Sequence, residues 1–297
     1  MIIPSYNRVN ELQKCVESVI SQFYDGLEVI VIDDFSTDST RDYLSELAIK
    51  HSFIKVHLND RNRGVNYSRN RGIEMVTKPF IMFLDSDDEL VEDALVNVVR
   101  IRKANPGTKH FLFNIEDREN EFKEIRELKY IQYEDWLRGD VTGDFTHVVS
   151  TPIIKKYLFF EQFRMYEYLN WLRIKKETSP QLHVPITTTR CERGRADSLT
   201  SSSKLQSEPV IKSKFESERM YYSMYHNDLK QYSPSKLDLP LIKTILLGAA
   251  CNQKRDSRSL IHFAAKKYIK LLSNLVLLVP PSLLKYSIIK FSTIKRK

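Results

Sequence analysis

The acidic triplet Asp85-Ser86-Asp87 is the clearest candidate for chemistry in this sequence, and it directly follows the apolar run FIMFL at 80–84. Two carboxylates one residue apart, on a loop at the end of a buried strand, are suitable oxygen ligands for Mg²⁺ or Mn²⁺. A cation held by so few carboxylates is usually completed by substrate phosphates and water. The alternative is a solvated acidic turn, because a DxD pattern is weak evidence by itself.

A second acidic pair, Asp33-Asp34, follows the apolar run LEVIVI at 27–32. These carboxylates could accept hydrogen bonds from a base N–H or from ribose hydroxyls, or they could cap the helix that follows. Capping is the better interpretation of Asp38. Because Ser36 and Thr37 can already cap that helix, we expect Asp34 to serve binding instead.

These clusters must be positioned by the strands that precede them. Over residues 1–115, apolar runs that are typical of strands buried on both faces alternate with segments of helical spacing. This alternation predicts an α/β fold with a mostly parallel sheet and helices on both faces. In such sheets the ligand binds at the carboxyl ends of the strands, where the polar clusters 4–8, 33–38 and 85–88 fall.

The rest of the chain is less regular. Residues 116–150 are charged and predict a loop, apart from a short helix at Trp136. The pattern then predicts a helix over 164–175 and a strand over 184–189. From about Glu208 onward the spacing is helical.

Composition excludes several classes of protein. With 297 residues, 42% hydrophobic and 28% charged, the chain is neither disordered nor a membrane bundle. Three scattered cysteines exclude a disulfide framework or a zinc ribbon and fit a reducing compartment. The sequence contains neither GxGxxG nor a P-loop, which excludes dinucleotide dehydrogenases and common kinases. No apolar run reaches roughly 18 residues, the length of a spanning helix, and the N-terminus does not resemble a secretion signal.

The net charge of +8 belongs to the last part of the chain. Residues 254–297 contain 11 Lys or Arg and one acid, Asp256, so they contribute +10 and leave −2 for residues 1–253. Within 260–297, lysines alternate with apolar residues. Such segments lie in a membrane interface with lysines on anionic head groups, so we predict peripheral membrane contact and no nucleic-acid binding. The alternative is a pair of core-packing helices with a basic solvent face.

Four motifs, in this order and spacing, resemble those of the family 2 glycosyltransferases, which are inverting enzymes of the GT-A fold. The motifs are IIPSYNR at 2–8, VIVIDDFSTDST at 29–40, NRGVNYSRNRGI at 62–73 and FLDSDD at 83–88. The resemblance covers about the first 120 residues well and continues more weakly to about residue 200. It implies a Rossmann-like catalytic domain over 1–205, with a nucleotide-sugar-binding half (1–115) and an acceptor-side half (116–205). A helical, basic, membrane-associating region (206–297) follows.

The resemblance also implies roles for residues in these motifs. A UDP-sugar would be bound by Pro4, Tyr6, Arg8, Asp34, Arg71 and Asp85. Asp34 would hydrogen-bond to uracil. Arg71, with Arg69 as a second candidate, would lie near the diphosphate, while Asn70 would hold the loop.

The metal, Mn²⁺ or Mg²⁺, would be bound by Asp87 and Asp85, and Asp85 would also bind ribose or a metal-bound water. It would stabilise the leaving diphosphate as a Lewis acid. The run CERGRADSLT at 191–200 resembles the loop that follows the catalytic helix in this family. Its Arg193 and Arg195 would close over the donor phosphates or hold an acceptor diphosphate, unless they are solvated surface residues.

An inverting transfer needs a general base that takes the proton from the acceptor hydroxyl. Family members carry a Glu-Asp pair at the start of a helix, followed by Trp-Leu-Arg. The run WLR at 171–173 matches, which places Tyr166 and Glu167 where the acidic pair is expected. Glu167 is therefore the candidate base, with a longer side chain than the usual aspartate, and Asp88 or Glu89 comes next. The alternative is an ordinary exposed glutamate.

The resemblance implies a non-processive enzyme, since neither Trp136 nor Trp171 lies in the QxxRW motif of processive synthases. The implied reaction transfers one hexose from a UDP-sugar to a sugar on undecaprenyl diphosphate. It would serve O-antigen repeat-unit assembly at the cytoplasmic face of the bacterial inner membrane. The chain most resembles enzymes that add galactose in β-1,3 linkage to N-acetylglucosaminyl-diphospho-undecaprenol. The alternatives are UDP-glucose or UDP-N-acetylglucosamine as donor in capsule or exopolysaccharide assembly, and a non-catalytic membrane- or nucleotide-binding module.

Overall fold

Strands and helices alternate from the first residues, as the apolar runs predict. The computed structural model describes residues 1–116, 127–163, 166–191 and 208–284. The chain divides into two compact units, Met1–Arg193 and Gly194–Lys297.

The first unit begins with a three-stranded parallel sheet in the order β1-β2-β3. Its strands are β1 (Ile2–Ser5), β2 (Val29–Asp33) and β3 (Ile54–Leu58), and the helices between and after them are α1 (Val9–Ile20), α2 (Thr40–Lys50) and α3 (Val65–Met75). Ser5 pairs in register with Asp33, so the loops after β1 and β2 leave the sheet at the same edge.

The second sheet is mixed and has the order β4-β8-β6-β9-β5, with β7 paired to β9. Its strands are β4 (Phe80–Met82), β5 (Asp88–Leu90), β6 (His110–Glu116), β7 (Lys129–Ile131), β8 (Thr146–Ser150) and β9 (Gln181–Cys191). The helices are α4 (Ala94–Ala104), α5 (Tyr133–Arg138), α6 (Thr151–Lys156) and α7 (Tyr168–Glu177). A parallel bridge from Ile2 to Phe83 and a 3.1 Å hydrogen bond from the Leu84 N–H to the Ile2 carbonyl join the sheets. The acidic triplet therefore emerges beside β1.

Strands β1 and β2 of the first sheet are buried on both faces, as their apolar runs predict, whereas only Ile54 of β3 is buried. Val29 and Val31 pack with α1 and α2 on one side, and Ile30 and Ile32 pack with α3 on the other. Helix α3 lies very close to β1 at Gly72, where an added Cβ would stand 2.5 Å from Cγ2 of Ile2. This close approach orients every side chain of α3.

The structure corrects the prediction that residues 116–150 form a loop. Strands β7 and β8 both lie there, and β8 is an interior strand between β4 and β6. Its sequence, THVVS, contains only two apolar residues, so it has no apolar run from which a buried strand could be predicted. The short helix at Trp136 is confirmed as α5. The predicted helix over 164–175 begins at Tyr168, and the predicted strand over 184–189 is the inner part of β9.

The second unit is helical. It consists of α8 (Glu208–Tyr232), α9 (Leu239–Ala250), α10 (Lys254–Ser259) and α11 (Lys267–Leu278), with short 3₁₀ turns at Pro234–Leu237 and Leu260–Phe263. Gly248 of α9 allows close packing, since an added Cβ would lie 2.3 Å from the Phe215 ring. In the described parts of the chain, no helix combines the length and the hydropathy that crossing a bilayer requires.

Candidate active site

The loops after β1 and β2 are tied together by side chains of the first two motifs. The Asn7 N–H donates to Ser36 Oγ at 2.8 Å, and the Thr37 N–H donates to Asn7 Oδ1 at 2.7 Å. Asn7 itself has a positive φ of 49°, a conformation that asparagine tolerates better than most residues. The loop is thus shaped to present the next residue, Arg8, to the acidic triplet.

Arg8 and Asp87 form an ion pair in which Arg8 Nη1 lies 2.5 Å from Asp87 Oδ2. Both side chains are partly exposed, so the pair is accessible from solvent. The structure therefore brings together the first and the fourth motif, although 79 positions separate these residues.

Arg69 joins the acidic triplet to the candidate base. Its Nη2 donates to Asp85 Oδ1 at 2.9 Å, and its Nη1 donates to Glu167 Oε1 at 3.3 Å. The Arg69 side chain is 13% exposed, whereas the side chains of Asp85 and Glu167 are 49% and 23% exposed. Burial lowers the pKa of Arg69, but the charges of Asp85 and Glu167 outweigh this effect and raise it. The two carboxylates therefore face a permanent positive charge.

Arg71 points elsewhere. It pairs with Glu74 on its own helix at 2.9 Å, and its Nε lies 3.4 Å from His57 Nε2 on β3. Residues two positions apart on a helix project about 200° apart around its axis, so Arg69 and Arg71 cannot face the same site. Of the two arginines considered for the diphosphate, the structure places Arg69 beside Asp85.

Two asparagines of α3 fix the segment that leads to Glu167. Asn66 donates to the carbonyls of Phe160 and Phe163, both at 3.0 Å. Asn70 holds Phe159 from both sides, donating to its carbonyl at 2.9 Å and accepting from its N–H at 2.7 Å. Sequence reasoning assigned the loop contact to Asn70 and missed Asn66, which the same motif contains.

Glu167 immediately precedes α7, and its carbonyl accepts from the Trp171 N–H at 3.0 Å. Trp171 stacks on His147 of β8, with ring centroids 3.8 Å apart and planes 11° from parallel. This stacking anchors the first turn of α7 on the sheet and so holds Glu167 in place. The next candidates for the base, Asp88 and Glu89, both belong to β5.

Asp34 is buried and hydrogen-bonded. Its Oδ1 accepts from Asn59 Nδ2 and from the Arg63 N–H, both at 2.9 Å, and its Oδ2 accepts from the Gly64 N–H at 2.7 Å. These bonds hold the turn that begins α3, where Gly64 has a φ of 90°. Asp34 therefore organises the loop of the third motif, a role that the sequence did not indicate.

Three buried polar atoms close to Asp34 in the fold lack a hydrogen-bond partner among the described residues: Ser5 Oγ, Asp33 Oδ1 and Asn59 Oδ1. Ser5 ends β1, Asp33 ends β2, and Asn59 is the residue after β3. The Asn59 N–H donates to the Asp33 carbonyl at 2.9 Å. Buried polar groups are nearly always satisfied, so this edge has unused capacity to bind a polar ligand.

The other predicted residues take the following places. Pro4 is buried in β1, and Tyr6 is exposed in the loop after it. Asp38 lies one residue before Ser39, the N-cap residue of α2, and its Oδ1 accepts from the N–H of Thr40, the first residue of that helix, at 3.1 Å. Arg193 and Arg195 lie outside the described residues.

Cys15 contacts the backbone of the acidic triplet, a role that the sequence did not indicate. Its thiol donates to the Asp85 carbonyl at 3.6 Å. Burial, followed by the charges of Asp88, Asp85 and Asp87, raises the pKa of this thiol, so it stays protonated and unreactive.

A metal ion would have few protein ligands here. Among the described residues no group of three or more His, Cys, Asp or Glu side chains is arranged to hold one. Asp85 and Asp87 supply two hard carboxylates, each paired with an arginine. This donor set fits Mg²⁺ or Mn²⁺ bound through one or two carboxylates together with substrate phosphates.

Comparison with known sequences agrees with this arrangement. Residues 1–158 match the model of Glycosyl transferase family 2. Over 191 residues the chain is 32% identical to GalNAc(5)-diNAcBac-PP-undecaprenol beta-1,3-glucosyltransferase of Campylobacter jejuni, a match that spans 62% of this chain and 61% of that protein. It is 27% identical over 180 residues to UDP-Glc:alpha-D-GlcNAc-diphosphoundecaprenol beta-1,3-glucosyltransferase WfgD of Escherichia coli, covering 60% of this chain and 70% of that protein.

Solved structures share the fold. TarS 1–349 of Staphylococcus aureus, in complex with UDP-GlcNAc, has a TM-score of 0.63 at 14% identity and covers 97% of this chain and 90% of its own. PcManGT of Pyrobaculum calidifontis, in complex with GDP-Man and Mn²⁺, has a TM-score of 0.55 at 16% identity, covering 96% and 82%. The predicted GT-A fold is confirmed. With more than half of its length matched by the family model, the chain belongs to glycosyl transferase family 2.

Proposed function

We propose that this protein is an inverting glycosyltransferase that moves one hexose from a UDP-sugar to a sugar carried on undecaprenyl diphosphate. The observation that carries the proposal is the bridge from Asp85 through Arg69 to Glu167. It joins a candidate leaving-group site to a candidate base across 82 positions of sequence.

In the proposed reaction, Glu167 accepts the proton of the acceptor hydroxyl. The acceptor oxygen forms a bond to the anomeric carbon of the donor as the bond from that carbon to the diphosphate breaks, with inversion. Arg69 keeps Glu167 in position and offers positive charge where the diphosphate departs. A divalent cation held by Asp85 and Asp87 would supply further Lewis-acid stabilisation of that leaving group.

The nucleotide would bind at the edge formed by β1, β2 and the start of α3. Pro4, Tyr6 and Arg8 would line its pocket, and Asp34 would contact the uracil in addition to its three loop hydrogen bonds. The unpartnered atoms of Ser5, Asp33 and Asn59 support this proposal, because they give the edge spare acceptors and a hydroxyl donor. Arg71 would act from outside this cluster. Arg193 and Arg195 would close over the donor phosphates or hold an acceptor diphosphate.

The donor sugar and the linkage are the finer part of the proposal. Both relatives form β-1,3 linkages on undecaprenyl-diphosphate-linked acceptors, and their names give glucose as the sugar. We keep β-1,3 transfer of galactose to N-acetylglucosaminyl-diphospho-undecaprenol as the proposed reaction, in O-antigen or lipopolysaccharide synthesis. UDP-glucose and UDP-N-acetylglucosamine are the alternative donors.

We also propose that the protein works at the cytoplasmic face of the bacterial inner membrane as a peripheral protein. An undecaprenyl-linked acceptor is anchored in a bilayer, and the basic charge of residues 254–297 would favour an anionic surface.

A donor screen tests the proposal. Purified protein is incubated with a synthetic GlcNAc-diphosphate-lipid and each of UDP-galactose, UDP-glucose and UDP-N-acetylglucosamine, with Mn²⁺ or with EDTA. We expect transfer from one donor, its loss in EDTA, and its loss in Glu167→Gln, while Glu74→Gln stays active as the matched control. Transfer that resists EDTA would contradict the metal assignment, and full activity of Glu167→Gln would move the base to another residue. Folded protein that transfers no sugar to any lipid-diphosphate acceptor would overturn the proposal.

A further inference from the structure

Helix α11 presents large apolar side chains to solvent on the side opposite to its buried face. Ile269, Ser273 and Leu277, spaced four residues apart, pack into the second unit. Five apolar side chains of the same helix are 45–74% exposed: Tyr268, Leu271, Leu272, Leu275 and Leu278. At about 100° per residue they occupy one arc of about 120°, which we name the α11 leucine face.

Basic residues lie at the beginning of this face. Lys266 immediately precedes α11, and Lys267 and Lys270 belong to its first turn, all exposed. The described part of the second unit, residues 208–284, carries 12 Lys or Arg against six Asp or Glu, a net charge of +6. A helix with exposed leucines and adjacent lysines on a basic unit has the composition of helices that lie in a membrane interface.

The geometry favours a bilayer surface over other occupants. With 12 residues α11 is about 18 Å long, too short to span about 30 Å of hydrocarbon, so it would lie along the surface. A second copy of this chain would also cover the leucines, but the net charge of +6 on each copy opposes that pairing. Anionic head groups next to acyl chains match both the charge and the apolar arc.

We propose that the α11 leucine face inserts into the head-group region of an anionic phospholipid bilayer, with Lys267 and Lys270 on the head groups, whereas Lys266 pairs with Asp238 at 3.4 Å. This inference deepens the membrane location given under the proposed function and rests on it. It assigns that contact to one defined face of a helix that already packs its other face in the second unit.

Sedimentation of the protein with phospholipid vesicles tests this proposal. Vesicles of phosphatidylcholine alone are compared with vesicles containing phosphatidylglycerol. Leu271→Gln/Leu275→Gln should weaken binding about tenfold or more, because each leucine loses apolar area to bury. Ile49→Gln/Val96→Gln, which alters two exposed apolar residues of the first unit, is the matched control and should bind like the wild type.

The lysines should contribute a separate, salt-dependent part. Lys267→Gln/Lys270→Gln should weaken binding to anionic vesicles about fivefold per lysine. This loss should disappear in high salt, whereas the loss caused by the leucine substitutions should persist.

Three outcomes would overturn the proposal. The first is wild-type vesicle binding by Leu271→Gln/Leu275→Gln, with circular dichroism showing that this variant is folded. A second variant of the same face, Leu278→Gln, would then also bind like the wild type. The second is loss of binding only in Ile288→Gln/Ile289→Gln, two residues of the terminal segment. The third is a wild-type dimer in light scattering that the leucine substitutions dissociate without changing vesicle binding.

Transfer to a short-chain, water-soluble acceptor separates this inference from the proposed function. The leucine variant should keep wild-type activity on that acceptor. Vesicle binding without transfer of any sugar would refute the proposed function and leave the leucine face supported, whereas transfer without vesicle binding would do the reverse.

Discussion

Substitution of Arg69 by methionine would remove the positive charge between Asp85 and Glu167 while keeping a long side chain in its place. The guanidinium donates to Asp85 at 2.9 Å and to Glu167 at 3.3 Å, and it also lies 5.7 Å from the centre of the Phe159 ring. Methionine can still pack on that ring, so the substitution tests the charge more than the packing.

The size of the effect follows from these contacts. A hydrogen bond to a charged group contributes about 1.5–3 kcal/mol, and exposure of Asp85 and Glu167 reduces that contribution. Two such bonds therefore correspond to about 3 kcal/mol, or about a 100-fold loss of kcat. Arg69→Lys keeps the charge but lacks the planar fork that reaches both carboxylates, so we expect about a tenfold loss.

The assay is steady-state transfer from the donor found in the screen, with kcat and KM measured separately. Arg71→Met is the matched control, since Arg71 lies two residues away on α3 and pairs with Glu74 and His57 instead. We expect its kcat within about threefold of the wild type. A large loss in Arg71→Met together with normal kcat in Arg69→Met would refute the reasoning and restore the assignment that motif resemblance alone suggests.

Three further predictions concern the metal loop, a buried lysine and the packing of α3. Asp87→Asn should lower transfer at least about 100-fold at limiting Mn²⁺, with partial recovery at high Mn²⁺, because one of two carboxylate ligands is lost; an unchanged Mn²⁺ titration would contradict the assignment. Burial lowers the pKa of Lys175 from its usual 10.5 to about 7. Between pH 7 and pH 10.5 the lysine is therefore protonated in the unfolded chain but largely deprotonated in the folded protein. Because the unfolded chain binds the extra proton, the folded protein gains stability as the pH rises through this range. Lys175→Met should therefore be more stable than the wild type at pH 7, and its advantage in urea unfolding should shrink by about 2–3 kcal/mol at pH 9, whereas Lys176→Met, which keeps Lys175, should show the same pH dependence of stability as the wild type. Gly72→Ala should destabilise the first unit by about 1–3 kcal/mol, since its Cβ would stand 2.5 Å from Ile2, whereas Gly107→Ala, with no atom within 4 Å, should cost little; equal unfolding midpoints would refute this packing argument.

Much of the fold and part of the site could be predicted from the sequence. The runs VIVI at 29–32 and FIMFL at 80–84 are apolar at every position because both faces of these strands are buried, and that pattern needs no tertiary information. Acidic residues directly after such strands must lie at the carboxyl edge of the sheet. The meeting of Arg8 with the acidic triplet follows from the same rule, since both follow strands that end at that edge.

Other features depended on packing that the sequence does not encode locally. The choice between Arg69 and Arg71 is set by the rotation of α3, and the contact of Gly72 with Ile2 determines that rotation. Spacing alone could not distinguish the two residues. The sequence does not indicate the interior strand β8, because THVVS contains only two apolar residues and the strand is recognisable only from its pairing with β4 and β6.

The sequence by itself thus determined the strands, the edge where the motifs meet and the family to which they belong, because burial and turn chemistry are local. The tertiary structure decided which side chains meet there. It brought Glu167 to Asp85 through Arg69, and it showed which of the two apolar faces of α11 is buried. Both depend on contacts between residues far apart in the chain, and periodicity cannot rank one apolar face of a helix over another.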